Sequence, residues 1–170
     1  MTEMRSEPVV IREMSAGDWP LVAAIYEEGI ATKYATFETA TPSWEEWDSR
    51  HLKTCRLVSV DAGRVVAWAA LSSVSQRCIY SGVAEVSIYV SAGARGRGIG
   101  RRLVERLVLA SEREGIWTLQ AGIFPENSSS IKLHLRCGFR IVGTRERLGR
   151  MDERWWDVLL LERRSTTVGV

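Results

Sequence analysis

The sequence predicts a mixed α/β fold in which helices cover both faces of a central β-sheet of six to seven strands. Stretches that alternate apolar and polar residues, such as 84–90, lie between stretches of helical period, of which 98–114 is the strongest. The chain has 170 residues, about the length of one domain, and its 45% apolar and 26% charged residues are typical of globular proteins. We therefore expect one domain over residues 1–170, with its core at about 9–162 and short flexible tails.

The first elements are predicted from a short apolar run and two helix starts. Residues 9–13, with the sequence VVIRE, predict a first strand. Asp18 is a candidate N-cap, and Pro20 supports a helix that begins beside it. Ser43 is followed three residues later by Glu46, which is a capping-box pattern, so a second, shorter helix is expected there.

Residues 56–74 predict a β-hairpin. Two apolar strands flank the turn Asp61-Ala62-Gly63-Arg64, in which the glycine supplies a positive φ. The alternating stretch 84–90 predicts the next strand, whose side chains face opposite sides of the sheet in turn. One face carries Val86, Ile88 and Val90, and the other carries Glu85, Ser87 and Tyr89.

The helix predicted at 98–114 has one apolar stripe that would face the sheet. Its members are Ile99, Leu103, Val104, Leu107 and Val108. Gly115 ends this helix, and a strand is expected at 118–124.

A short helix and two strands complete the predicted fold. Asn127 or one of the serines after it caps the helix, and Gly138 stops it. The two final strands are expected at 140–148 and 154–162.

Composition argues against several classes of function. The net charge of +2 is too small to favour a nucleic-acid or membrane-surface partner. No apolar run is long enough to cross a membrane, and Met1 to Pro8 lacks the apolar stretch of a secretory signal. The cysteines, Cys55, Cys78 and Cys137, are widely spaced, so neither a disulfide framework nor a metal site is expected. These features predict a cytoplasmic protein.

Residues 95–100, which we call the glycine turn, have the sequence RGRGIG between a strand and a helix. A helix start leaves unpaired N–H groups and the positive end of the helix dipole, and both favour an anion. Glycine lets the main chain approach a ligand closely, and Arg95 and Arg97 can add charge-assisted contacts. The glycine turn therefore predicts a cradle for a phosphate or pyrophosphate.

Other phosphate motifs fit this turn poorly. Gly93 and Gly98 have P-loop spacing, but Ile99-Gly100 follow in place of the required Lys and Ser or Thr. The dinucleotide pattern fails because residue 101 is arginine where the third glycine belongs. Contact with an RNA backbone is a further alternative, against which the near-neutral charge of the chain argues.

The glycine turn resembles the acyl-CoA pyrophosphate motif of the GCN5-related N-acetyltransferases (GNAT), Arg/Gln-x-x-Gly-x-Gly/Ala. Asn127-x-x-Ser130-x-x-x-His134-x-x-x-Gly138-Phe139 is similar to a second motif of that superfamily, with His134 in the place of a tyrosine. The resemblance extends over about Val9 to Leu161 and implies the GNAT fold.

Three segments resemble the phosphinothricin acetyltransferase branch of that superfamily. They are Glu85 to Val90, Leu133-His134-Leu135 and Trp155-Trp156-Asp157-Val158. Leu135 and Cys137 depart from the pattern of the branch, where Glu and Leu are common.

The resemblance implies an acyltransferase that moves the acetyl group of acetyl-CoA to a primary amine by direct attack in a ternary complex. The implied acceptor is a small amino acid or analogue, such as phosphinothricin, methionine sulfoximine or methionine sulfone. A homodimer is expected, with no metal, nucleic acid or membrane partner. Two alternatives stay open: an acetyltransferase of protein N-termini, lysines or polyamines, and a non-catalytic acyl-CoA-binding sensor.

The resemblance also implies which residues hold the cofactor: Ile88, Tyr89, Val90, Arg95, Gly96, Arg97, Gly98, Ile99, Gly100, Asn127 and Ser130. The N–H of Val90 would face the thioester oxygen, and the pantetheine arm would pair with the edge of the strand around it.

Two residues are candidates for proton transfer. Glu85 is the candidate general base, acting through a water molecule. His134 would either assist deprotonation of the amine or protonate the CoA thiolate, and the sequence does not decide between them. The other histidine, His51, lies among charged residues and is predicted to be solvated surface.

The acceptor pocket is predicted from two segments that line it in the related branch. They contribute Phe37, Glu38, Arg77 and Tyr80. Arg77 would pair with an acidic group of the substrate.

Overall fold

The computed structural model describes residues 8–170. Its strands are β1 (Val10–Glu13), β2 (Leu57–Asp61), β3 (Arg64–Ser73), β4 (Val83–Val90), β5 (Thr118–Ile123), β6 (Arg140–Met151) and β7 (Arg154–Arg164). Its α-helices are α1 (Trp19–Ala31), α2 (Trp44–Arg50), α3 (Ile99–Arg113) and α4 (Ser128–Arg136). Within this part of the chain, no helix combines the length and apolar character needed to span a bilayer.

The strands form one seven-stranded sheet in the order β1-β2-β3-β4-β5-β7-β6, which confirms the predicted fold class. Neighbouring strands are antiparallel except β4 and β5, which are parallel. This parallel pair is short, because β4 joins β5 only through Val83–Glu85 and Thr118–Gln120. Beyond Glu85, β4 stays with β3 as far as Val90, whereas β5 follows β7 through Ile123. A gap therefore opens between the two strands after Glu85.

The two faces of the sheet have different coverings. The predicted stripe of α3 is fully buried on one face, where it packs on Leu71, Val86 and Leu119. The other face is covered over β2 to β4 by α1 and α2, which bury Trp47 and Trp68. Over β5 to β7 that second face carries only a small buried group. This group consists of Phe124, Met151, Trp156 and Val158.

Local signals in the sequence locate most element ends. The Ser43 hydroxyl accepts from the N–H of Glu46 at 3.2 Å, and the Glu46 carboxylate accepts from the N–H of Ser43 at 3.0 Å. The hairpin turn has positive φ at Ala62 and Gly63, as its type requires. Asp18 is the N-cap residue of α1, as predicted, but its side chain does not cap the helix. Its carboxylate accepts hydrogen bonds from both terminal guanidinium nitrogens of Arg12 at 2.7 and 2.8 Å. These bonds lower the pKa of Asp18 to about 2.

The C-terminal segment differs from the predicted flexible tail. β7 continues to Arg164, two residues past the predicted core. Ser165 is buried, and its hydroxyl donates to the Glu112 carboxylate at 2.9 Å and accepts from the N–H of Thr167 at 3.1 Å. These hydrogen bonds fix the segment against α3. The tail predicted at the N-terminus lies outside the described residues.

Candidate active site

A cavity of about 1260 Å³ lies where β4 and β5 separate. This main cavity has two ends. Its turn end is formed by the glycine turn and the start of α3, and its far end lies around Phe37, Glu38 and Glu85. The gap in the sheet connects the two ends, because Ile88, Tyr89 and Val90 line the cavity between them.

The glycine turn is open to the main cavity. Gly96 and Gly98 both have φ of +75°, and a Cβ built on either would meet no atom within 4 Å. Gly98 is the N-cap of α3, so the first N–H groups of that helix point toward the turn without partners in the helix. Ile99 and Gly100 also line the cavity. This is the open, donor-rich arrangement that an anion requires.

The two arginines of the turn point in different directions. Arg95 lines the main cavity, and its Nε donates to the carbonyl of Val90 at 3.1 Å. Arg97 does not line it, because its guanidinium pairs with the Asp61 carboxylate at 2.6 Å. In the structure the Arg97 side chain is engaged by the hairpin turn and not by the cavity, and its role in holding the cofactor stays a prediction.

Asn127 and Ser130 lie where α4 borders the main cavity. Asn127 caps the helix, since its side-chain oxygen accepts from the N–H of Ser130 at 3.2 Å. Its Nδ2 donates to the carbonyl of Tyr34 at 3.2 Å, which ties the α1–α2 loop to the start of α4.

His134 also lines the main cavity, and its side chain is only 2% exposed. Its Nδ1 lies 2.8 Å from the carbonyl of Ser130. Because a carbonyl can only accept, Nδ1 carries the proton and Nε2 a lone pair. Burial lowers the pKa of His134, so the ring is neutral. Nε2 is buried and has no hydrogen-bond partner among residues 8–170, which leaves it available to a ligand.

Glu85 stands at the point where the gap begins, since it is the last residue of β4 that pairs with β5. Its Oε2 accepts from Nε2 of Gln120, the residue opposite, at 2.9 Å. Glu85 lines the main cavity and is half-buried. A carboxylate is thus held at the inner end of the path that leads from the glycine turn.

Phe37 and Glu38 line the far end, as predicted. The ring of Phe37 packs directly on the main chain of Gly149, where a Cβ would lie 2.5 Å from it. Phe37 also meets the ring of Phe124 edge-on at 4.7 Å. Glu38 forms an ion pair with Arg50 at 3.0 Å, and Arg50 lines the cavity beside it.

Arg77 and Tyr80, the other predicted acceptor residues, do not line the main cavity. Both are exposed, and the guanidinium of Arg77 lies over the Tyr80 ring at 5.6 Å. The loop before β4 makes a 3-10 turn over Cys78–Tyr80 that directs these side chains elsewhere. The cation that sequence reasoning missed is Arg145, which lines the far end from β6. Within the described chain, no carboxylate lies within ion-pair distance of Arg145.

His51 was wrongly predicted as solvated surface. It is half-buried, lines the main cavity and stacks on the ring of Trp47 at 4.2 Å. Its Nδ1 lies 2.7 Å from the carbonyl of Trp47, and burial lowers its pKa. The signal that could have located it is the four-residue spacing from Trp47 at a helix end, which brings a side chain to the preceding turn. Across residues 8–170, no cluster of three His, Cys, Asp or Glu side chains could hold a metal ion.

The gap between the two parallel strands thus offers an extended ligand an anion cradle at one end, free main-chain groups along β4 and a carboxylate at the other. The chain belongs to the Acetyltransferase (GNAT) family, whose model matches residues 19–139.

Similar proteins align with nearly the whole length of this chain. An L-methionine sulfoximine/L-methionine sulfone acetyltransferase from Pseudomonas aeruginosa is 28% identical over 159 residues, which cover 89% of this chain and 92% of that protein. The crystal structure of a phosphinothricin acetyltransferase from Sinorhizobium meliloti in complex with acetyl-CoA is 30% identical, with a TM-score of 0.84 and coverage of 95% and 90%. A ribosomal-protein-alanine N-acetyltransferase from Brucella melitensis has the same identity of 30% and TM-score of 0.84, covering 92% of this chain and 99% of its own.

Proposed function

We propose that this protein transfers the acetyl group of acetyl-CoA to the primary amine of a small amino-acid-like acceptor. The observation that carries the proposal is the main cavity itself, which runs from the open glycine turn, along the side of β4 that β5 leaves free, to Glu85. A ligand with a diphosphate at one end and a reactive acyl group at the other matches this path. Acetyl-CoA is such a ligand, and the family to which the chain belongs uses it.

The cofactor would be held by main-chain groups more than by side chains. The diphosphate would accept from the N–H groups of the glycine turn, with Arg95 beside it. The peptide-like arm would pair with the main chain of β4 between Val86 and Val90, which β5 leaves free. An N–H at the end of this stretch nearest Glu85 would donate to the thioester oxygen and stabilise charge that develops there. The Val90 N–H expected from the sequence lies at the other end of the stretch, about 17 Å from Glu85.

Proton transfer is assigned to Glu85 and His134. Glu85, through a water molecule, removes a proton from the acceptor ammonium, and the electron pair stays on nitrogen. The amine then attacks the thioester carbon, so that a C–N bond forms and the C–S bond breaks. Neutral His134 accepts the second amine proton at Nε2 and returns it to the leaving thiolate. The deprotonated Nε2 supports this order, since it must gain a proton before it can give one.

The charges at the far end support an acceptor with an acidic group. Arg50 is partly neutralised by Glu38, whereas Arg145 has no carboxylate within reach in the described chain. A carboxylate or phosphinate would supply the missing charge in bidentate form. Phosphinothricin, methionine sulfoximine and methionine sulfone carry such groups, and the similar proteins from P. aeruginosa and S. meliloti are named for them.

A protein N-terminus is the second candidate acceptor. It is favoured by the likeness to the B. melitensis protein and by the exposed rim at Leu148, through which a chain could enter. A non-catalytic sensor would bind acetyl-CoA at the same turn without transferring the acetyl group.

The test is thiol release from acetyl-CoA by the purified protein with a panel of amines. We expect turnover with small amino acids that carry an acidic or sulfone side chain, and little with peptides or polyamines. Turnover with an alanine-initiated peptide alone would favour the second candidate. Binding of acetyl-CoA without thiol release from any amine would contradict the proposal.

A homodimer is proposed on the strength of β6, an edge strand of twelve residues that is exposed over most of its length. Such edges are usually covered in the assembled protein. Large apolar side chains on and beside it are exposed: Leu135, Ile141, Val142, Leu148 and Trp155. Sedimentation should give twice the chain mass, and Val142→Lys should shift it toward the monomer. A cytoplasmic location and a single domain over residues 1–170 stay predictions.

A further inference from the structure

A row of polar residues crosses the sheet at the level of Glu85. Ser72 of β3 is directly opposite Glu85, and Gln120 of β5 is opposite it on the other side. The row continues beyond β3 toward His51, because the N–H of Leu52 donates to the carbonyl of Leu71 at 2.8 Å and so brings His51 beside this end of β3.

The members of this row share one face of the sheet. Leu52, Leu71 and Val86, each one position away, pack into the core on the α3 side. Because successive residues of extended chain face opposite sides, their neighbours His51, Ser72 and Glu85 face the main cavity, and all three line it. Strand spacing of about 4.8 Å separates the main chains of Ser72 and Glu85, and His51 lies beyond Ser72 on the other side of β3.

His51 is held as a proton acceptor. The Trp47 carbonyl accepts from Nδ1, which leaves the lone pair on Nε2. The ring is fixed by stacking on Trp47 at 4.2 Å and by an edge contact with Trp68 at 6.3 Å. The assigned reaction uses neither this ring nor the hydroxyl of Ser72.

We propose that His51 receives, by way of the Ser72 hydroxyl, the proton that Glu85 takes from the acceptor ammonium. The inference rests on the proposed acetyl transfer. Within the described residues Ser72 forms no hydrogen bond to Glu85 or His51, so water molecules of the cavity bridge the two steps. The carboxyl O–H of Glu85 breaks as the serine oxygen gains a proton, and the serine gives its own proton to Nε2 of His51. Glu85 is left as a carboxylate, Ser72 is unchanged, and the imidazolium loses the Nε2 proton to water in the open cavity. His51 acts through Glu85 and does not touch the substrate.

The charges around His51 suit a temporary acceptor. Burial lowers its pKa most, the Trp47 carbonyl raises it, Arg56 and Arg50 lower it, and Asp48 raises it. Among the sheet residues of this row, Glu85 is the charged one. The ring is thus neutral at neutral pH and does not retain a proton it receives.

The experiment compares kcat across pH for the wild type, His51→Gln and Ser72→Ala, with saturating acetyl-CoA and a reactive amine. Below its pKa His51 is already protonated and cannot accept, so the kcat values of the wild type and His51→Gln should converge as pH falls. Above that pKa the wild type should be faster, by about tenfold at pH 8, which is less than a direct general acid or base contributes because His51 acts through Glu85. Ser72→Ala should show the same pH-dependent deficit without disturbing the stack on Trp47.

Ser73→Ala is the matched control, because Ser73 is exposed and adjacent on β3 but faces the other way. It should keep wild-type kcat at every pH. A kcat ratio for His51→Gln that is constant across pH, or a Ser72→Ala profile identical to that of Ser73→Ala, would overturn the inference. If His51→Gln does not fold, Ser72→Ala decides. Failure of the wild type to acetylate any amine would instead refute the proposed function.

Discussion

His51 and His134, the two histidines of the chain, are held in the same way. Nδ1 of each lies within hydrogen-bond distance of the carbonyl four residues earlier, at 2.7 Å from Trp47 and 2.8 Å from Ser130. Both rings line one cavity, and burial lowers the pKa of both. Two neutral imidazoles, each with its lone pair on Nε2, therefore line the same cavity.

This shared state predicts how stability depends on pH. Since both histidines have pKa values below the unfolded value of 6.5, the unfolded chain binds protons first as pH falls. The free energy of unfolding should therefore be highest above about pH 7 and fall steadily from there toward pH 5. Denaturant unfolding of wild type and His134→Asn should show a shallower fall for the variant. Equal slopes would show that His134 titrates as it does in the unfolded chain.

Gly98→Val should weaken acetyl-CoA binding about tenfold or more, because a side chain would fill the space over the turn. Gly63→Val is the matched control. Gly63 has φ of +76°, faces open space like Gly98 and lies in the hairpin turn away from the main cavity. Both variants should lose similar stability, whereas calorimetric titration should detect weaker binding for Gly98→Val alone. Equal affinities for the two variants would remove the glycine turn from the cofactor site.

Glu85→Gln should lower kcat about a hundredfold and change KM little. Glutamine keeps the shape of the side chain and can still accept from Gln120, so the far end of the cavity should stay intact. Steady-state kinetics across pH would check this. A variant with the wild-type rate throughout would show that another group takes the ammonium proton.

The variants Arg145→Gln and Arg77→Gln test which arginine pairs with the acidic group of the acceptor: Arg145, as the structure suggests, or Arg77, as the sequence predicted. Arg145 lines the far end, whereas Arg77 lies outside the cavity over Tyr80. For an acceptor with an acidic side chain, Arg145→Gln should raise KM about tenfold, and Arg77→Gln should leave KM unchanged. Repeating the measurement with a neutral amine should abolish the difference. The reverse result would place the acid group at Arg77.

Features that depend on neighbours in sequence were predictable. The stripe of α3, the Ser43 capping box and the positive φ of Gly63 follow from spacing and residue type alone. The direction in which a long side chain points was harder to predict. Arg97 is of a residue type that binds phosphate, but in the fold its guanidinium donates to Asp61, which lies 36 residues earlier in the chain.

The residues missed or misplaced at the far end have a common cause. His51 becomes a cavity residue because Leu52 bonds to Leu71, and Arg145 because β6 pairs Arg145 with Val158 on the cavity face. Both depend on contacts between segments distant in sequence, for which a single sequence has no periodic signal. Arg77 was assigned by resemblance, and the local 3-10 turn beside it determines a different direction.

The separation of β4 from β5 also sets a length. From Glu85, the last paired residue, to Val90 at the end of the strand is about 17 Å at the usual rise per residue. A thioester carried on a shorter arm would stop before the carboxylate, and one on a longer arm would have to buckle or protrude. We therefore expect selectivity among acyl carriers to depend on the length of their arm, which the strand pairing of β4 and β5 determines, more than on any single side chain.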